Sequence, residues 1–302
     1  MFMSQDLKAA LFMLAAVTCF AFLDALAKIL VDPASPLEAS LPVIQVVWIR
    51  FVSHGTILLG LLILWGELGR FKTRYPVTQG FRTILMAGTT FFNFQAVQYL
   101  QLDQTVAIFF ATPFIVSLLA GPILGEWVGI RRLMAIITGF IGVLIVTSPW
   151  DADMHWAIIY SIAATLCLGV FNISTRWLTS REGVNITFTY TVVGGFVLLA
   201  WPALEAWVWP KDILSWMALL MTGFFGGIGH YFYTCAHGLA PAPNIAPYMY
   251  SQLLLMALFG YLFFDDIPTI ATLIGASLII GSGIYLFSRD MMKSRDKARC
   301  DA

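Results

Sequence analysis

Of 302 residues, 59% are hydrophobic and 11% charged, with lysine plus arginine balancing aspartate plus glutamate at 17 each. Ordinary soluble domains are about 25% charged, so the composition excludes that class. A net charge of zero argues against nucleic acid or another polyanion as a partner.

Crossing a bilayer takes about 20 apolar residues. Ten stretches qualify: 8–30, 41–65, 79–99, 103–124, 129–147, 155–178, 184–205, 213–237, 242–263 and 268–288. In lipid every backbone polar group must be satisfied internally, which predicts helices rather than strands. The first run is long and contains Asp24 and Lys28, so it is expected to remain as a helix rather than act as a cleaved signal.

Polar groups at membrane depth are expensive and mark function or helix pairing. In the first span Asp24 and Lys28 share a face, and Asp24 suits a substrate amine, a proton or an ion pair. In the second, Arg50 suits a carboxylate or phosphate held through two N–H groups, or an internal acid such as Asp24; Trp48 stands nearby. The third carries Asn93, Gln95 and Gln98. Pro113 and Pro122 are expected to kink the fourth. Tyr190 in the seventh falls at the position matching Arg50 in the repeat described below.

The eighth span combines Gly223, Gly226, Gly227 and Gly229 with His230, Tyr231, Tyr233 and His237. The glycines favour close helix packing, and two histidines seven apart are too few for a metal site. In the ninth, Tyr248, Tyr250 and Gln252 follow a proline-rich start at Pro241 and are candidates for a cavity wall. No cofactor is implied. The four cysteines lack CxxC spacing, and no GxxxxGK[ST], GxSxG or HExxH motif occurs, which argues against ATP-driven pumping and against an integral-membrane enzyme.

Lysine and arginine set the orientation. With the N-terminus cytoplasmic, thirteen of them (Lys8, Arg70, Lys72, Arg74, Arg82, Arg131, Arg132, Arg181 and five from Arg289 onward) fall on the cytoplasmic side. Lys211 alone falls opposite, so both termini are expected to be cytoplasmic.

The chain also repeats. Shifted by 140, Met86–Val146 lands on Gly226–Leu286, with Phe92 on Phe232, Asn93 on Tyr233 and Glu126 on Asp266. Nearer the N-terminus the offset becomes 148, placing Asp24 on Asn172 and Lys28 on Arg176. Five helices per copy is an odd number, which predicts two repeats of opposite orientation, 1–147 and 148–288, followed by a basic tail at 289–302.

Gly125-Glu126 closing the fourth span, Gly139 and Gly142 in the fifth, and Asp265-Asp266 before Gly275, Gly281 and Gly283 resemble the EamA-type members of the drug/metabolite transporter superfamily. The second acid departs from the usual Gly-Glu pair. The resemblance implies a ten-helix inverted-repeat carrier in a bacterial inner membrane, its cavity lined by helices 1–4 and 6–9. The expected function is secondary or facilitative transport of a small polar organic metabolite by alternating access. An amino-acid or nucleoside derivative such as S-adenosylmethionine is one candidate; riboflavin or a metallophore-like compound is the alternative. Proton or counter-substrate coupling and a monomeric or homodimeric state remain open, as does a non-transporting receptor.

Overall fold

The computed structural model describes residues 5–34, 37, 39–64, 72–124, 130–147, 155–179, 181–182, 184–239 and 248–300. Among these the chain is helical, with no strand. The helices are α1 (Gln5–Val31), α2 (Val43–Leu64), α3 (Pro76–Tyr99), α4 (Leu102–Phe109), α5 (Thr112–Leu124) and α6 (Ile130–Thr147). They continue as α7 (Ile158–Thr179), α8 (Val184–Glu205), α9 (Ile213–Leu239), α10 (Ser251–Phe264) and α11 (Ile270–Cys300). Five of them, α1, α2, α7, α8 and α9, are long and apolar enough to cross a membrane.

The fourth expected span is two helices rather than one. Pro113 has no N–H to give the Phe109 carbonyl. The helix stops at Phe109, and the Thr112 hydroxyl donates to the Phe109 oxygen at 2.6 Å in place of the missing amide. The Ala111 amide turns to Ile108 O at 3.0 Å, and α5 starts one residue later. Counting α4 and α5 together gives ten helical segments among the described residues, the number expected. The proline-rich start of the ninth span, residues 240–247, lies outside the described residues.

Sequence dictates how the helices approach. α1 lies against α9, α2 against α8 and α9, and α3 against α7 and α8. Leu23, Leu30, Val46, Val47, Phe51, Phe94, Leu102 and Met256 fill the main core between them. The outward faces are also apolar, with Phe140, Val197, Trp201 and Leu254 exposed. In hydrocarbon such a surface is already solvated, so packing rather than water exclusion holds helices together.

The α6–α11 pair illustrates this. A Cβ on Gly275 would stand 2.5 Å from Gly142 O, and one on Gly142 would stand 2.7 Å from Gly275 O. The two backbones touch there, and only glycine permits it. Gly275→Val should therefore push α11 off α6 and lower the melting temperature of the detergent-purified protein, in line with an overpacking penalty of about 1–3 kcal/mol. An unchanged melting temperature would show that the contact is not tight.

Candidate functional site

Helical spacing brings a small set of polar and aromatic side chains to one place. Four helices each present two residues one turn apart, at spacings of three or four. They are Phe20 and Asp24 on α1, Arg50 and His54 on α2, Thr90 and Asn93 on α3, and His230 and Tyr233 on α9.

Asn93 Nδ2 donates to Asp24 Oδ1 at 2.9 Å, tying α3 to α1. Arg50 Nη1 donates to the Thr90 hydroxyl at 3.2 Å, tying α2 to α3. His54 and His230 lie nearly parallel, ring centroids 6.0 Å apart and planes 8° apart, bridging α2 and α9. Phe188 meets His54 edge-on at 5.3 Å, and Phe20 meets His230 at 5.0 Å and Tyr233 at 6.4 Å.

α9 can come this close because of its glycines. A Cβ on Gly226 would lie 3.2 Å from Arg50 Nε, and one on Gly227 would lie 3.0 Å from His54 Cδ2. The glycine run packs α9 on α2 and forms the floor beneath both side chains.

Arg50 is the outlier in this set. It is buried, and among the described residues its Nε has no hydrogen-bond partner. A guanidinium carries five N–H donors, and here one hydrogen bond is made, to a neutral hydroxyl. Asp24 acts on Arg50 through space, yet the two form no ion pair.

Among the described residues the acid found in an ion pair is Asp266 rather than Asp24, and its partner is Lys28. Lys28 Nζ lies 2.9 Å from Asp266 Oδ2 and 2.9 Å from Leu100 O, with the Phe264 ring 4.6 Å away. This ties the end of α1 to the end of α10 across 238 residues of sequence. Asp103 is buried near both, and its Oδ2 has no hydrogen-bond partner among the described residues.

A second network sits at the opposite end of α3. Arg82 donates to Thr175 Oγ1 at 3.0 Å, Gln79 Oε1 at 3.3 Å, Thr187 O at 3.1 Å and Thr191 Oγ1 at 3.1 Å, and lies over the Phe171 ring. Gln79, the Thr73 hydroxyl and the Arg74 amide all donate to Glu182. Burial works to raise the Glu182 carboxyl, but these donors together outweigh it and hold it below its ordinary value.

α3 is thus a polar ladder. Arg82 stands near its start, Thr90 and Asn93 follow at mid-height, and Leu100 closes it. Arg82 to Leu100 covers about 27 Å at 1.5 Å per residue, close to the ~30 Å of bilayer hydrocarbon. Arg50 and Asp24 attach to the middle rungs.

Of the remaining expected site residues, few join this group. Trp48 points elsewhere: its Nε1 donates to Phe196 O at 3.0 Å, and its ring packs against Phe196 and Trp207 in a cluster with Trp209 and Trp216. Two residues along a helix is about 200°, which carries Trp48 away from Arg50. The Tyr250 hydroxyl reaches the Gly283 backbone on α11, and its ring meets Phe110 edge-on at 5.1 Å. Tyr248 is exposed, while Gln95 and Gln252 are half-buried away from any bond described here. The Tyr190 carbonyl accepts from Thr83 at 3.2 Å beside the Arg82 network. Gln98 donates to Val31 O at 3.0 Å. His54, Thr90 and Phe20 were not expected; their signal was the one-turn spacing from Arg50, Asn93 and Asp24. An open groove between α6 and α11, lined by Met134, Ala135, Thr138, Gly281, Ser282 and Tyr285, lies on the flank.

The EamA-like transporter family model matches residues 7–148 and again residues 155–289. The chain belongs to the EamA-like transporter family; it is a membrane transporter rather than an enzyme. It is 32% identical over 206 residues to a riboflavin transporter of Brucella anthropi, covering 66% of this chain and 72% of that one. A riboflavin transporter of Vibrio cholerae is 24% identical with 96% of both chains covered. An S-adenosylmethionine uptake transporter of Rickettsia prowazekii is also 24% identical, with 80% of this chain and 82% of the relative covered. One solved crystal structure superposes at a TM-score of 0.61 over 91% of this chain and 98% of its own, at 17% identity, which bears on the fold alone.

Removing one member of a buried ion pair strands the other. Lys28→Met should therefore lower the melting temperature, and Lys28→Met with Asp266→Leu should recover part of the loss. Additive effects of the two changes would show that the pair is not coupled.

Proposed function

We propose that the chain carries a small polar organic metabolite with groups of opposite charge across a bacterial inner membrane by alternating access. Under this proposal residues 1–147 and 148–288 are two five-helix repeats of opposite orientation, and 289–302 is a cytoplasmic tail. An amino-acid or nucleoside derivative such as S-adenosylmethionine is the leading substrate class. Arg50 reads the anionic group and Asp24, presented by Asn93, the cationic one. The observation that carries this is Arg50, a buried guanidinium that among the described residues has one hydrogen bond and no ion pair, halfway along the α3 ladder. An unpaired charge at membrane depth is retained only where it has work to do.

Alternating access then has two natural ties to break. Lys28–Asp266 joins the first family-matched segment to the second at one end of the ladder, and the Arg82 network joins them at the other. Either a proton or a counter-substrate supplies the driving force, and the carrier works as a monomer or homodimer.

A second reading, transport of riboflavin, is favoured by the relatives of that name and by the rings around the site, Phe20, Phe188, His54 and His230. Uptake into proteoliposomes loaded with unlabelled substrate separates the two. Labelled S-adenosylmethionine should exchange, and Arg50→Ala should cut exchange at least about tenfold, the loss of one charge-assisted bond. Exchange of riboflavin with equal rates in wild type and Arg50→Ala would reject the leading reading in favour of the second.

The orientation has its own test. Green fluorescent protein fused after Ala302 should fluoresce, and alkaline phosphatase placed there should be inactive. Phosphatase activity at that end would invert the topology.

A further inference from the structure

Arg50 does not stand alone, and the residues beside it narrow the ligand. Its neighbour one turn along α2 is His54, buried, with its ring on His230 of α9. Among the described residues the contacts found for these two rings are aromatic: His54 with Phe188 and His230, and His230 with Phe20. Buried polar groups normally find a hydrogen-bond partner, and each exception needs an explanation. Among the described residues Arg50 Nε is such an exception, and two imidazole rings stand beside it.

A neutral imidazole offers one N–H and one acceptor; a guanidinium offers donors only. The acid on this side of the core, Asp24, is occupied by the Asn93 amide and does not reach Arg50. What the three groups have in common is an N–H to give to an acceptor with several lone pairs and a negative charge. A carboxylate or a phosphate supplies both, and it pairs with a guanidinium fork in two parallel bonds.

We infer that Arg50, His54 and His230 form one oxyanion-binding site. The carboxylate or phosphate lies between α2 and α9, gripped by the guanidinium and by an N–H of each imidazole. Phe188 and Phe20, edge-on to the two rings, fix their orientation. Because α2 falls in the first family-matched segment and α9 in the second, the bound anion also ties the two halves together. Gly226 and Gly227 keep the seam narrow enough for both sides to reach it. The inference deepens the proposed function by fixing the chemistry that Arg50 shares with two histidines, and it rests on that proposal only for the claim that the anion is part of a cargo.

The experiment is a binding measurement that needs no cargo. The full chain in nanodiscs is melted against sodium phosphate, sodium acetate and, as a control, sodium chloride at matched ionic strength. Phosphate or acetate, whichever the site takes, should raise the melting temperature saturably by about 2–4 °C at several times its Kd, and chloride should not. Arg50→Lys keeps the charge but loses the fork, and should abolish the rise. His54→Phe keeps the ring contacts with His230 and Phe188, and should leave the ligand-free melting temperature near wild type. It should nevertheless weaken the midpoint by about fivefold, the equivalent of one lost hydrogen bond. Equal saturable rises in wild type, Arg50→Lys and His54→Phe, or no rise with either oxyanion, would overturn the site. Exchange activity in proteoliposomes without an oxyanion response would sink this site and spare the carrier; an oxyanion response without exchange would do the reverse.

Discussion

Hydrocarbon offers a polar group no partner, and the rest of the structure follows from that constraint. Helices satisfy their own backbones, so each remaining polar side chain must be met by another helix or by something that is not protein. Most are met. Lys28 has Asp266 and Leu100 O, Arg82 has four neutral acceptors, and Asp24 has Asn93. Even the carbonyl freed by Pro113 is taken by the hydroxyl of Thr112. Against that background Arg50, which among the described residues makes one hydrogen bond from five donors, stands apart, with two imidazoles beside it.

α3 organises these contacts because its polar residues recur at different heights along one helix. Arg82 binds α7 and α8, Thr90 binds α2, Asn93 binds α1, and the Leu100 carbonyl at its end binds Lys28. The outer rungs are closed within the protein, and the middle rungs leave capacity unused. Under the proposed function that distribution supplies ties at the ends that form and break, and a centre that takes the ligand. The flank pair α6 and α11 is sealed backbone to backbone at Gly142 and Gly275.

Much of the architecture is legible in the sequence, because span length and hydropathy are local properties. The helices appear close to where the apolar runs put them, and the family model matches the chain twice, in line with the internal repeat. The one break, at Phe110 and Ala111, is also local in origin. A proline at 113 was expected to kink the fourth span, and the missing amide stops the helix outright.

The site was harder to read because helical phase decides it. Asp24, Arg50, Asn93 and Tyr233 come together, as their polarity at depth suggested, but Trp48 turns to Phe196 and Tyr250 to Gly283. Closeness in sequence to Arg50 misled for Trp48, whereas one turn of helix would have found His54. Long-range partners were beyond reach altogether: nothing local in Lys28 announces Asp266, 238 residues away. The most direct measurement is a structure of the chain with a transported ligand bound. The ligand's oxyanion should lie between α2 and α9, within hydrogen-bonding distance of Arg50 and the His54–His230 pair, with its cationic group toward Asp24. Density for the ligand in the α6–α11 groove, with Arg50 still bonded only to Thr90, would contradict the account.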